Sequence, residues 1–139
     1  MLLEIKRLLL NEILCDRDFI PRDVTVEDYI AKLHKFACIT DVYKNDTLIG
    51  FCAFYANDKV NRIGFISMVI VDPAYRGKGV ADVVIESALK LMKLEGMRSC
   101  KLEVRQENIP ALKLYRRLGF NLIPDENKLK DRFYMLKVF

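Results

Sequence analysis

"DPAYRGKGVA", residues 72–81, lies between an apolar run, "FISMVIV" at 65–71, and an amphipathic run that begins at Val80. Two glycines and two cations therefore meet where a strand passes into a helix. The first backbone N–H groups of a helix have no intrahelical acceptor, and the macrodipole favours an anion there. Gly77 and Gly79 remove side chains where a bulky anion would press, while Arg76 and Lys78 add mobile positive charge. From these residues alone, the stretch is either a phosphate cradle or a glycine-rich turn that only joins two elements. A Walker A loop is excluded, because Lys78 is followed by Gly79 rather than Ser or Thr and position 72 is Asp. The dinucleotide fingerprint fits Gly77 and Gly79 but meets Asp82 at its third glycine position.

Upstream, Leu2, Ile5, Leu9 and Ile13 recur at helical spacing. A second helix starts at "VTVEDYIAKLHKF", with Thr25 as N-cap facing Asp28. From Ala37 the period becomes that of strands: "ACITDVY", the turn "KNDT" and "LIGFCAFYA" read as a hairpin, followed by a strand over 62–71 that Asp72-Pro73 ends. Downstream, Val80, Val83, Val84, Ser87, Ala88, Leu91 and Met92 predict one apolar helix face, stopped near Gly96. "SCKLEVR" is a strand, "NIPALKLYRRL" a helix capped by Asn108, and "FNLI" and "RFYMLKV" are closing strands. The order is ααβββαβαββ, without a repeat or linker to divide it, so residues 1–139 are expected to form one α/β domain.

Composition agrees: hydrophobic residues make up 52% and charged residues 30%, the balance of a globular chain. A net charge of +4 favours small anions but lacks the basic block of a nucleic-acid binder. Glu4, Lys6, Arg7 and Glu12 interrupt the apolar amino terminus, so no membrane span is expected. Cys15, Cys38, Cys52 and Cys100 contain no CxxC pair, and His34 has no metal-ligand companion; the reading is no metal site and reduced cysteines packed as small apolar residues in a cytoplasmic protein.

Arg76-Gly77-Lys78-Gly79-Val80-Ala81 resembles the R/Q-x-x-G-x-G/A motif of the GNAT family of N-acetyltransferases, and it follows a strand ending in V-x-P. "LEVRQENIPALKLYRRLGF" at 102–120 resembles that family's second signature, in the right order and at a fitting separation. The resemblance implies a GNAT fold: a central twisted mixed β-sheet flanked by helices, in which the strands at 62–71 and 99–105 splay to admit acetyl-CoA. It implies that Met68, Val69 and Val71 meet the pantetheine arm, that the pyrophosphate lies on the amides from Arg76 to Ala81, and that Asn108 approaches from the other side. The implied activity is acetyl transfer to an amine-bearing acceptor, with a non-catalytic acetyl-CoA-binding regulatory module as the alternative. A homodimer is left open.

Acetyl transfer from a thioester needs a neutral amine, a stabilised oxyanion and a protonated leaving thiol. Tyr115 matches the family position whose phenol donates to the thiol; its other reading is core packing. The strand "RIGFISMVIV" lacks the glutamate that many members carry, and Glu103 is the nearest substitute. That residue resembles the base of the subgroup that acetylates protein amino termini, yet its alternation with Leu102 and Val104 equally suits a charge on a solvent face. The chain also opens on a helix rather than on the family's first strand.

Overall fold

Apolar side chains spaced for one helical face give the first two elements, α1 (Leu2–Cys15) and α2 (Val26–Phe36). In the computed structural model, which describes residues 1–124 and 131–139, they are followed by β1 (Cys38–Lys44), β2 (Thr47–Tyr55) and β3 (Ile63–Val71). A single 3-10 turn at Pro73–Tyr75 leads into α3 (Val80–Leu94), then β4 (Ser99–Arg105), α4 (Ile109–Arg117), β5 (Asn121–Ile123) and β6 (Arg132–Val138). The strands form one mixed six-stranded sheet in the order β1-β2-β3-β4-β6-β5. Among the described residues the expected element order is realised, with a 3-10 turn added.

The chain clusters into two compact units. The first comprises Met1–Ala53 and Met68–Ala88. Its core brings Ile5, Leu8 and Leu9 of α1 and Ile30 and Leu33 of α2 onto Leu48, Phe51, Met68 and Ile70. Full burial of each such side chain contributes roughly 1.5–3 kcal/mol. Thr25 caps α2 as its sequence predicts, Oγ1 accepting from the Asp28 N–H at 3.1 Å. Gly50 fixes how closely β2 approaches the start of α3: a Cβ there would lie 2.5 Å from Cγ1 of Val80.

The second unit comprises Phe54–Ser67 and Leu89–Phe139. Here β3 runs parallel to β4 from Ile63↔Ser99 to Ile66↔Leu102, where the paired register ends. On its other edge β4 pairs antiparallel with β6 along its whole length, from Ser99↔Val138 to Arg105↔Arg132. The Asn108 side chain caps α4 by accepting from the Ala111 N–H at 3.2 Å.

The α3 face differs from the one its spacing predicts. Val80, Val84, Ile85, Ala88, Leu89 and Met92 are buried, whereas Val83 and Leu91 are 53% and 42% exposed. Apolar residues cover so much of this helix that periodicity does not single out the inward row. The cysteines also divide: Cys52 and Cys100 are buried as expected, but Cys15 and Cys38 are exposed, because they sit at the end of α1 and the start of β1. Among the described residues, no helix is long and apolar enough to cross a membrane.

Candidate active site

The loop from Asp72 to Gly79 is held by hydrogen bonds within the first unit. Asp72 Oδ1 accepts from the Ala74 N–H at 3.0 Å, and the Asp72 N–H donates to the Ile49 carbonyl at 2.8 Å. Asp72 Oδ2 accepts from Arg7 Nη1 at 3.2 Å, while Arg7 Nη2 donates to the Leu48 carbonyl at 2.8 Å and to Glu4 Oε2 at 3.2 Å. Glu4 Oε2 in turn accepts the Leu48 N–H at 3.1 Å. That backbone donor, with Arg7 beside it, holds the Glu4 carboxyl below the usual carboxylate range.

Beyond this anchor the backbone opens. Gly77 and Gly79 have φ values of +74° and +81°, which L side chains rarely adopt, and a Cβ at either would meet no atom within 4 Å. Residues 76–79 are exposed, whereas Val80, the first residue of α3, is buried, and the Arg76 N–H donates to the Pro73 carbonyl at 3.5 Å. Arg76 is less mobile than its sequence suggests: its guanidinium pairs with Glu12 of α1, and its Nε donates to the Val71 carbonyl at 3.2 Å. The Lys78 Nζ lies 5.4 Å from the centroid of the Tyr75 ring. Ala81 is half-buried, as are Val69 and Val71, and Met68 belongs to the core. Any contact of Met68 with a ligand must therefore come from its main chain.

The second unit carries the other three predicted residues. Tyr115 on α4 is half-buried, its ring edge-on to Phe120 at 5.7 Å and 69°. Glu103 is also half-buried and accepts a hydrogen bond from Arg132 Nη1 across the β4–β6 pair. Its register partner is Tyr134, whose ring centroid lies 4.4 Å from Lys101 Nζ. The Glu103 carboxylate of "LEVR" is thus half of an ion pair, an arrangement that suits an oriented base and a face charge alike. Asn108 is exposed and spends its side-chain oxygen on the α4 cap.

Other groups contribute less. Burial pushes the Cys100 thiol up to about 12, so it is protonated at neutral pH and makes a poor nucleophile. His34 is exposed on α2 and lines an apolar cavity of about 230 Å³ with Ile5, Ile30, Leu33 and Ile39, which includes none of the motif residues. Sequence reasoning missed Arg7, Glu4, Glu12 and Arg132. The (i, i+3) spacing of Glu4 and Arg7 signals a helix pair, but contacts with residues 64 or 65 positions away leave no trace in spacing.

The chain belongs to the acetyltransferase (GNAT) family, whose model matches residues 7–120. It is 42% identical over 57 residues to N-alpha-acetyltransferase MAK3 of Arabidopsis thaliana, covering 41% of this chain and 30% of that protein. It is 36% identical over 66 residues to a streptothricin acetyltransferase of Escherichia coli, covering 48% and 38%. The crystal structure of the NatC complex bound to Gag peptide and CoA contains a chain that matches with a TM-score of 0.75 and 25% identity, over 99% of this chain and 90% of that one. The chain spans 26% to 56% of the length of the curated relatives it matches.

Proposed function

We propose that this chain is an acetyl-CoA-dependent N-acetyltransferase that acetylates a primary amine on a small molecule, an amino-sugar or a protein N-terminus. The observation that carries this reading is the open backbone at Gly77 and Gly79, anchored from behind by the Arg7–Asp72 pair. A diphosphate needs convergent N–H donors and room, and the start of α3 offers both. The family match spans parts of both units, which supports reading residues 1–139 as one acetyltransferase domain.

Acetyl-CoA supplies a thioester-activated acetyl group. In this reading the amides from Arg76 to Ala81 bind its pyrophosphate, with Lys78 adding charge, and the main chain of Met68, Val69 and Val71 meets the amide-bearing pantetheine arm. Asn108 adds a contact to that arm. Tyr115 holds a proton at its phenolic oxygen for the leaving sulfur, uncharged at neutral pH and still a donor. Glu103 accepts the proton that the attacking amine gives up, through water, while Arg132 fixes its orientation. Four free cysteines suit a reducing compartment such as the cytoplasm.

The test is incubation with acetyl-CoA and a panel of amines, following thiol release and the mass of each acceptor. Peptides with free α-amines come first, because the MAK3 and NatC matches are to proteins of that class by name or bound peptide. A gain of one acetyl group on an acceptor supports the reading. CoA binding without transfer to any amine would instead favour a regulatory module.

A further inference from the structure

Two lysines from distant parts of the chain converge on one ring beside the phosphate loop. Lys44, the last residue of β1, places Nζ 5.4 Å from the centroid of Tyr75, and Lys78 Nζ lies 5.4 Å from the same centroid. Tyr75 ends the 3-10 turn that leads into the loop. Among the described residues neither lysine has a carboxylate partner, and the acids bonded to this loop are already engaged, Glu12 by Arg76 and Asp72 by Arg7. The ring attracts each ammonium group weakly. An anion beside this ring would take up ammonium donors that, among the described residues, have no carboxylate acceptor.

We propose that Lys44 and Lys78, gathered around Tyr75, form a binding site for the 3′-phosphate of CoA. The inference rests on the acetyl-CoA reading above. With the pyrophosphate on the loop amides, the cofactor's remaining phosphate is a monoester on the adjacent ribose. With the loop amides taken up by the pyrophosphate, side-chain charge would be what remains to hold it. A phosphomonoester carries up to about two charges at neutral pH, and lysine ammonium groups suit a compact anion of that kind. Lys44 thereby gives the β1–β2 turn a role in telling CoA from its dephosphorylated form.

Calorimetric titration of the full chain with CoA and with 3′-dephospho-CoA tests this without any turnover. The unaltered protein is expected to bind CoA at least about tenfold more tightly than dephospho-CoA, the effect of one charge-assisted hydrogen bond. Lys44→Ala should cut that ratio roughly three- to tenfold while leaving dephospho-CoA affinity unchanged, which also shows that the variant is folded. Lys44→Arg should keep the preference, and Lys90→Ala, which removes an exposed charge from α3, should not alter it. The ratio should also shrink as salt rises. Equal affinities for the two ligands, or a preference that survives Lys44→Ala, would overturn the proposal and leave the acetyl-CoA reading intact. If neither ligand bound, the acetyl-CoA reading itself would fall, and this inference with it.

Discussion

Arg7 on α1 donates to Asp72, the residue that follows β3 and starts the glycine-bearing loop, and to the Leu48 carbonyl of β2. One guanidinium thus holds together the first helix, a central strand and the loop. Replacing it with Met should leave Asp72 Oδ2 without its partner, at a cost of about 1–2 kcal/mol given that the pair is partly exposed. Arg7→Lys should restore only part of this, because an ammonium lacks the planar fork that serves several acceptors. Urea unfolding and CoA titration of both variants check the claim; Arg7→Met should show lower stability and weaker CoA binding together.

The loop's affinity should reside in its backbone more than in its cations. Gly79→Val would force a β-branched residue to φ +81° and put a side chain into the space left open for a ligand. Arg76→Ala removes a side chain already committed to Glu12 and Val71. Calorimetry should find CoA affinity reduced far more by Gly79→Val than by Arg76→Ala. Near-normal binding by the Gly79 variant would remove the loop from the site.

Much of the fold is legible in the sequence because it rests on local chemistry. The Thr25 and Asn108 caps, the strand-ending Asp72-Pro73 and the two glycines each express a backbone requirement within a few residues. What the sequence hid is what the tertiary fold decides. Glu12 and Arg76 are 64 positions apart, and Glu103 and Arg132 are 29 apart, so nothing in their spacing announces a pair. The inward face of α3 is hidden for a related reason: Val83 and Leu91 extend the apolar surface past what is buried. Tyr115 was legible only through family likeness, since its half-burial against Phe120 fits packing and catalysis alike.

Tyr115→Phe separates those two roles, because phenylalanine keeps the edge-on contact with Phe120 and loses only the hydroxyl. A leaving-group acid acts in the transition state, so kcat should fall by roughly 10²–10⁴-fold while CoA affinity is nearly unchanged. Turnover at the parental rate would return Tyr115 to a packing role.

Stability should depend on pH at both ends of the range. Glu4 has its pKa lowered on folding, so its contribution is complete above the ordinary carboxylate pKa of about 4.3 and is lost as pH falls through the lower folded value. Cys100 has its pKa raised by burial, so its neutral thiol favours the folded state below about 8.5, and that advantage decays as pH rises towards about 12. Urea midpoints across pH should show an acid limb flattened by Glu4→Gln and an alkaline limb flattened by Cys100→Ala. Thiol labelling at neutral pH should be fast at Cys15 and Cys38 and slow at Cys52 and Cys100.

The Glu103–Arg132 pair sets the terms on which a base could work here. An α-amine has a pKa of about 7.7–8.0 and a lysine side chain about 10.4, so at neutral pH the α-amine is far easier to deprotonate. If Glu103 relays the proton through water, Glu103→Gln should lower kcat/KM at neutral pH and lose less at high pH, where the amine is already neutral. The loss should be smaller throughout for an acceptor of low pKa. Arg132→Gln tests the orienting role: it leaves the carboxylate in place but removes the donor that fixes it. Its profile should therefore keep the parental shape at a lower plateau, whereas Glu103→Gln changes the shape. The measurement is a pH-rate profile of all three proteins with the acceptor that the amine panel identifies. Superimposable profiles for the parent and Glu103→Gln would take Glu103 out of the mechanism, leaving the amine's own pKa and bulk water to account for deprotonation.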